Sequence, residues 1–546
     1  MNSIKIKYNN KIYEYNYGIS LNDIAKDFQN DFKHPILIAK GNGALLTLNS
    51  KICEDTELVF YDMSSPVGAK IYERSTIFIL TKAVRDLFDE DIKIEHSIDK
   101  GICCHVDLIN EEKVNQIKNK MIEIAKDNID IEKLSVNRMK MIKYFKSVKR
   151  NDNAELLKYL SNSYVTIYKL GNKYDYFYGP MVISTGYIKD FNLKYIGNDR
   201  FVLMLPNRFE NCIVNEYIHH EKFYNSVMEY IRWTNSIGAR NFTDINKKLS
   251  DGKWNDLIFM SEATYNKSLL DIADNISNKK EIKMVLIAGP SCSGKTTTSK
   301  KLEMFLEGKG LKPLAISVDD YFKERDETPL DENGFKDYES INAVDTDLFN
   351  KQIQELLEGK EVILPTYNFI KGQKEFNKKI KLEENNILII EGLHSLNDEL
   401  TSSIKSENKF KIYISPLTGL NIDDHNRLST TDNRLLRRMV RDNLRRGYDA
   451  SATLESWDRV RSGETKYVFP YQDKADIVLN TSLIYEISVL KVYAEPLLFS
   501  VEENDENYGE ALRLINILRM ILPMPSASIP LDSIMREFIG NGCFED

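Results

Sequence analysis

Apolar and polar residues alternate from the start of the chain. Ile4, Ile6 and Tyr8 share one side of an extended segment, Asn9-Asn10 supplies a turn, and Ile12, Tyr13 and Tyr15 begin a return strand. Ser20, with Asp23 three positions on, predicts a helix start. Residues 36–39 and 58–60 read as short strands, 75–88 as a helix, and 201–205 as a further strand. Residues 236–280 read as helices broken near Gly238 and Gly252. From residue 282 the pattern changes. Three continuous apolar runs, at 282–288, 314–318 and 386–390, predict strands of a buried parallel sheet. An acidic loop at 502–506 precedes a terminal helix predicted over 511–522, which Pro523 and Pro525 end.

Composition narrows the class. The 546 residues suggest three to four domains at about 150 residues each. A chain that is 42% hydrophobic and 10% aromatic is not a disordered one. Its net charge of −8 removes the simplest case for a dedicated nucleic-acid binder, so any basic surface must be local. No apolar run approaches the roughly 18 residues of a membrane span, and MNSIKIKYNN has no apolar core of a signal peptide. Six cysteines without a CxxC pair exclude a disulfide scaffold and argue against a thiolate zinc site. A reduced, cytoplasmic protein is expected. His219 and His220 form the one local histidine cluster. Neighbouring residues point in different directions, so a polar turn is expected there rather than a metal site. His96 and His105 could join a site only from a distance.

The chemistry is concentrated after residue 282. Gly289, Pro290, Ser291, Cys292, Ser293, Gly294, Lys295 and Thr296 follow an apolar strand at once and match GxxxxGK[ST]; Thr297 opens the helix beyond. Glycines let the backbone curl so that successive N–H groups face phosphate oxygens, and the helix N-terminus adds positive potential. Lys295 is placed to bridge the β- and γ-phosphates of ATP, and Thr296 to offer its hydroxyl to Mg²⁺. Asp319 ends the second apolar run, where a carboxylate can accept a proton from an attacking hydroxyl. Glu391 ends the third and stands as a second metal-site group, acting through water. Arg434, Arg437, Arg438, Arg441 and Arg445 recur on one helical face. Beside a phosphate loop, such a face reads as a lid over transferring phosphate; an RNA-binding helix is the other reading.

GPSCSGKTT, SVDDYF, KDYESINAVD, LPTYNF, IIEGLHSL, RLLRRMVRDNLRRG and KADIVLNT, in that order, resemble the uridine kinase and phosphoribulokinase family over about residues 282–485. The resemblance implies Asp319 as base for a sugar 5′-hydroxyl, Asp337 on ribose hydroxyls, Tyr367 lining the nucleoside pocket and Arg438 on the sugar. It also implies Arg441 and Arg446 on the phosphates. The chain departs from the family at Gly372, where uridine kinases commonly carry a base-reading His. Residues 1–62 resemble the TGS β-grasp module of threonyl-tRNA synthetases. Residues 63–235 resemble the second domain of threonyl- and alanyl-tRNA synthetases. The two metal-binding His positions of that domain fall on Arg74 and Phe78, and segment 178–186 has neither Cys nor His, so its editing chemistry is expected to be absent.

The expected architecture is multidomain. A β-grasp unit (1–62) and an α+β synthetase-like unit (63–235) are followed by a helical connector (236–280). A P-loop α/β kinase domain with a parallel sheet (281–500) and a helical tail (501–546) complete the chain. The expected reaction is transfer of the ATP γ-phosphate to a nucleoside 5′-hydroxyl. Two rival readings remain. One is an RNA- or tRNA-binding regulator with a nucleotide-operated P-loop domain. The other is a sugar-phosphate kinase, for whose anionic acceptor Lys371 and Lys374 are available. The oligomeric state is open, a homo-oligomer included.

Overall fold

The computed structural model describes residues 3–331, 334–368, 371–402 and 404–544. The first strands, Ser3–Tyr8 and Lys11–Asn16, pair antiparallel. Asn9 and Asn10 between them have φ of 47° and 61°, the pair of left-handed residues a two-residue hairpin needs. Ser20 caps the helix Leu21–Phe28 by accepting from the Asp23 N–H. Ser3–Tyr8 also pairs in parallel with Thr56–Tyr61, giving a mixed five-stranded sheet closed by Ile38–Gly41 and Ala44–Thr47.

The next helix is longer than its apolar pattern predicts. It spans Pro66–Phe88, with Ser65 as N-cap and Pro66 in the first turn, where a missing N–H costs nothing. It packs on an antiparallel sheet of Lys93–Ile98, Gly101–His105, Arg200–Met204 and Asn192–Gly197. Helices Phe242–Ser250 and Trp254–Ser277 lead to the carboxyl-terminal half.

That half is built on five parallel strands in the order Lys312–Ser317, Asn386–Glu391, Met284–Ala288, Lys409–Ser415 and Ile477–Asn480. The strand before the glycine-rich loop is central and fully buried, which explains its unbroken apolar run. One buried cluster runs from Met141 and Phe145 through Ile245, Leu257 and Leu269 into the parallel sheet. From there it reaches Ile534, Met535 and Phe538 of the tail. Polar ties add to it: Arg150 hydrogen-bonds Asp152 (2.9 Å) and, like Asp175, contacts His425. Arg427 pairs with Glu73 at 3.1 Å. No described helix is long and apolar enough to cross a membrane.

Candidate active site

Three neighbouring parallel strands end at one crevice, the usual location of ligands in an open α/β sheet. The central strand delivers the loop 289–294. Gly289 is required there, because a Cβ would lie 2.2 Å from the Ile414 carbonyl oxygen. Cys292 and Gly294, with φ of 58° and 90°, turn the loop into the helix Lys295–Glu307. Arg434 and Arg437 hold the loop from behind: Arg434 donates to the Ser291 carbonyl (2.9 Å) and Arg437 to that of Cys292 (3.3 Å). Lys295 Nζ lies back along the loop, 3.1 Å from the Gly289 carbonyl oxygen. Thr296 is exposed at the crevice.

The flanking strands supply the acids. Lys312–Ser317 runs into a 3₁₀ turn, Val318–Tyr321, that presents Asp319. Asn386–Glu391 ends in Glu391, which accepts from the Ser317 hydroxyl at 3.0 Å. Enclosure in the crevice raises the Asp319 pKa, against the pull of Lys295, Arg446 and Arg441. Burial and the neighbouring Asp319 push Glu391 up to about 7. Glu339 also reaches about 7, through burial and the nearby Glu464. Sequence reading passed over Glu339; its place in KDYESINAVD, one of the ordered motifs, was the available signal. Three acids crowded around Lys295 suit a site that receives cations or gives up protons. Hydroxyl and carboxylate oxygens, which Thr296 and Glu391 carry, are the donor set of a hard cation such as Mg²⁺.

The shifted acids have a consequence for stability. Glu339 and Glu391 have folded-state pKa values above the unfolded 4.5. These two groups therefore hold more protons in the folded chain than in the unfolded one between about pH 4.5 and 7. Burial lowers His96 and His394 to about 4, which acts the other way over part of that window. The Glu391 contribution is read by difference: from pH 4.5 to 7.5 the thermal midpoint of Glu391→Gln relative to wild type should rise with pH. A difference independent of pH would contradict the linkage.

The basic helix spans Thr430–Arg446, capped by Ser429 and ended by Gly447 at φ 69°. Its expected lid face divides in two. Arg434 and Arg437 are fully buried and pair with Glu464 and Glu486. They are internal braces, which a periodic pattern of arginines cannot distinguish from a solvated face. Arg438, Arg441 and Arg446 remain toward the crevice. Arg438 donates to the Ser291 hydroxyl (3.1 Å), and all three pair with Asp442. Arg438 thus reaches the phosphate loop.

An aromatic cluster follows the Asp319 turn. Tyr367 on Glu361–Asn368 meets Phe322 at 5.8 Å, and Phe322 meets Tyr338 at 6.1 Å. Asp337 accepts from the Tyr467 hydroxyl at 3.3 Å. Gly372 has φ 72°, and a Cβ there would lie 2.7 Å from Arg325 Nε. The space beside Gly372 is thus filled by the Arg325 side chain. Lys374 pairs with Asp345 and Lys371 with Glu375, both at 2.8 Å.

Elsewhere the histidines do not assemble. His220 contacts Asp473 (2.6 Å) and Asp99 (3.4 Å), whereas His219 contacts the Tyr217 hydroxyl (2.9 Å). Arg74 donates to the Pro180 carbonyl and Phe78 packs on Phe177, so both positions are filled by groups that do not ligate metal. His96 lies with Glu95 and Cys103, their ligand atoms within 4.8 Å of one another. Arg200 donates to both Glu95 oxygens, at 2.8 and 2.9 Å, and so neutralises that carboxylate.

A glycine-rich loop on the central parallel strand, with a lysine, two strand-end acids and a helix of arginines over it, defines a P-loop phosphotransferase domain. Residues 284–487 match the model of the Phosphoribulokinase / Uridine kinase family. A uridine kinase of Macrococcus caseolyticus is 28% identical over 211 residues, which cover 38% of this chain and 93% of that protein. The N-terminal region matches threonine–tRNA ligases. That of Fusobacterium nucleatum is 31% identical over 180 residues, or 32% of this chain and 29% of the ligase. That of Carboxydothermus hydrogenoformans is 29% identical over 199 residues, or 35% of this chain and 31% of the ligase. The chain thus spans about a third of the length of the ligases it matches and joins their likeness to a kinase domain.

Proposed function

We propose that the protein transfers the γ-phosphate of ATP to the 5′-hydroxyl of a nucleoside. The observation that carries this reading is the convergence of the 289–297 loop, Asp319 and Glu391 at adjacent strand ends. In the proposed step the loop N–H groups and Lys295 hold the triphosphate. Asp319 accepts the acceptor's hydroxyl proton while its oxygen bonds to the γ-phosphorus. The bond from that phosphorus to the bridging oxygen breaks, and ADP leaves. Arg438, Arg441 and Arg446 offset charge spreading over the transferred group. Thr296 and Glu391 would hold Mg²⁺, directly and through water, and the ion would supply further charge neutralisation at the phosphates.

Asp337, Tyr367 and Phe322 would receive the sugar and the flat ring. Arg325 stands beside Gly372, so a guanidinium rather than an imidazole borders the place proposed for the base. The test is a coupled assay with ATP and Mg²⁺ against a nucleoside panel and ribulose 5-phosphate, with Lys295→Ala as blank. A Lys295-dependent phosphorylated nucleoside is expected. ATP binding without any nucleoside product would sink this reading.

The likeness of the N-terminal region to threonine–tRNA ligases supports a second reading, in which that region binds tRNA. Binding of tRNA that weakens steeply with salt would support it, and binding indifferent to salt would count against it.

A further inference from the structure

The loop's helix already has an anion at its N-terminus. Glu537, on the short helix Ile534–Ile539, accepts from the Thr297 hydroxyl at 2.8 Å and from the Thr297 N–H at 3.3 Å. Thr297 lies one residue past the Lys-Thr pair, so its N–H is one of the free donors that face phosphate in such a loop. The carboxylate also lies within electrostatic reach of Arg441 and Glu391. Three further contacts seat it. Asp532 pairs with the buried Lys301 at 2.7 Å. Ile534 packs on Gly294, its Cγ2 lying 3.1 Å from where a Cβ would sit. Arg437, the brace behind the loop, stacks on Phe538 at 4.9 Å.

We propose that the C-terminal tail is a built-in competitor of the nucleotide, with Glu537 standing in for a phosphate on Thr297. The inference rests on the P-loop as the nucleotide site. One N–H cannot serve a carboxylate and a phosphate at once, and two anions this close repel. Nucleotide therefore binds fully only when Glu537 leaves, so part of the binding free energy goes into displacing the tail. Tail occupancy lowers apparent affinity by the fraction of molecules in which the tail is seated. Anything that holds the tail elsewhere activates the site.

The experiment measures ATP binding to the full chain by calorimetry with Mg²⁺, for wild type, Glu537→Gln, Glu537→Ala, Asp532→Asn and Lys295→Ala. Removing the Glu537 charge is expected to tighten ATP binding about tenfold or more, on the scale of one charge-assisted hydrogen bond. Asp532→Asn, which loosens the tail away from the phosphates, is expected to tighten it by a smaller factor. Hydrogen exchange in residues 526–544 of the wild type should rise on ATP addition. Equal or weaker ATP binding in both Glu537 variants, or a tail that keeps its protection with ATP bound, overturns the proposal. Failure of the underlying site looks different: ATP binding that survives Lys295→Ala, or no binding by any variant.

Discussion

Asp319→Asn is expected to lower phosphoryl transfer by about 10²–10⁴-fold, the usual contribution of a positioned base. The amide keeps the size of the side chain but cannot take the hydroxyl proton. ATP affinity should hold or tighten slightly, because the substitution removes a negative charge from a crevice that already contains Glu391 and Glu339. The wild-type rate should rise with pH as Asp319 ionises, with a midpoint above the ordinary aspartate value. The variant should lose that limb. Single-turnover rates between pH 4.5 and 8 check both parts. A variant that keeps the full rate and the same pH profile would remove Asp319 from the proton transfer.

The largest expected loss of stability comes from Glu464. Its carboxylate is fully buried, pairs with Arg434 and Arg461, and accepts from the Ser291 N–H of the loop at 2.9 Å. Glu464→Gln leaves two guanidinium groups without their counter-ion. Breaking a buried pair on one side costs about 3–5 kcal/mol. Removing all three charges, as in Arg434→Met and Arg461→Met with Glu464→Leu, should recover much of that loss, because desolvation of the ions no longer opposes folding. Denaturant unfolding of the three proteins separates these outcomes. A single variant as stable as wild type would show that the cluster braces nothing. The triple variant should still bind ATP more weakly, since Arg434 and Glu464 both hold Ser291.

The parts of the site that local chemistry dictates were legible in the sequence. A glycine-rich run after an apolar strand permits few other structures, and a carboxylate ending a buried strand lies at the crevice by topology. The Asn9-Asn10 turn was legible for the same reason: two residues able to adopt positive φ stand between alternating segments. What was not legible depends on distant partners. Arg434 and Arg437 share their helical spacing with Arg438 and Arg441. Only the folded chain shows that Glu464 and Glu486 reach the first two. The start of the helix at Pro66 was missed because its first turn, Pro66–Ala69, carries little apolar periodicity; Ser65 and Pro66 were the capping signal. Glu537 lies 240 residues from the threonine it contacts, and no local pattern could join them.

The core that joins the parallel sheet to Ile534, Met535 and Phe538 also bears on how the protein is made. Those residues follow the five sheet strands in the chain and are synthesised after them. At about 5–20 residues per second, the stretch from 500 to 544 takes roughly 2–9 s to emerge. During that interval the sheet can form while the apolar seat of the tail stays open to water. A nascent chain at that stage presents a sticky patch beside its phosphate loop, so chaperone contact should be greatest after the sheet has formed and before the tail joins it.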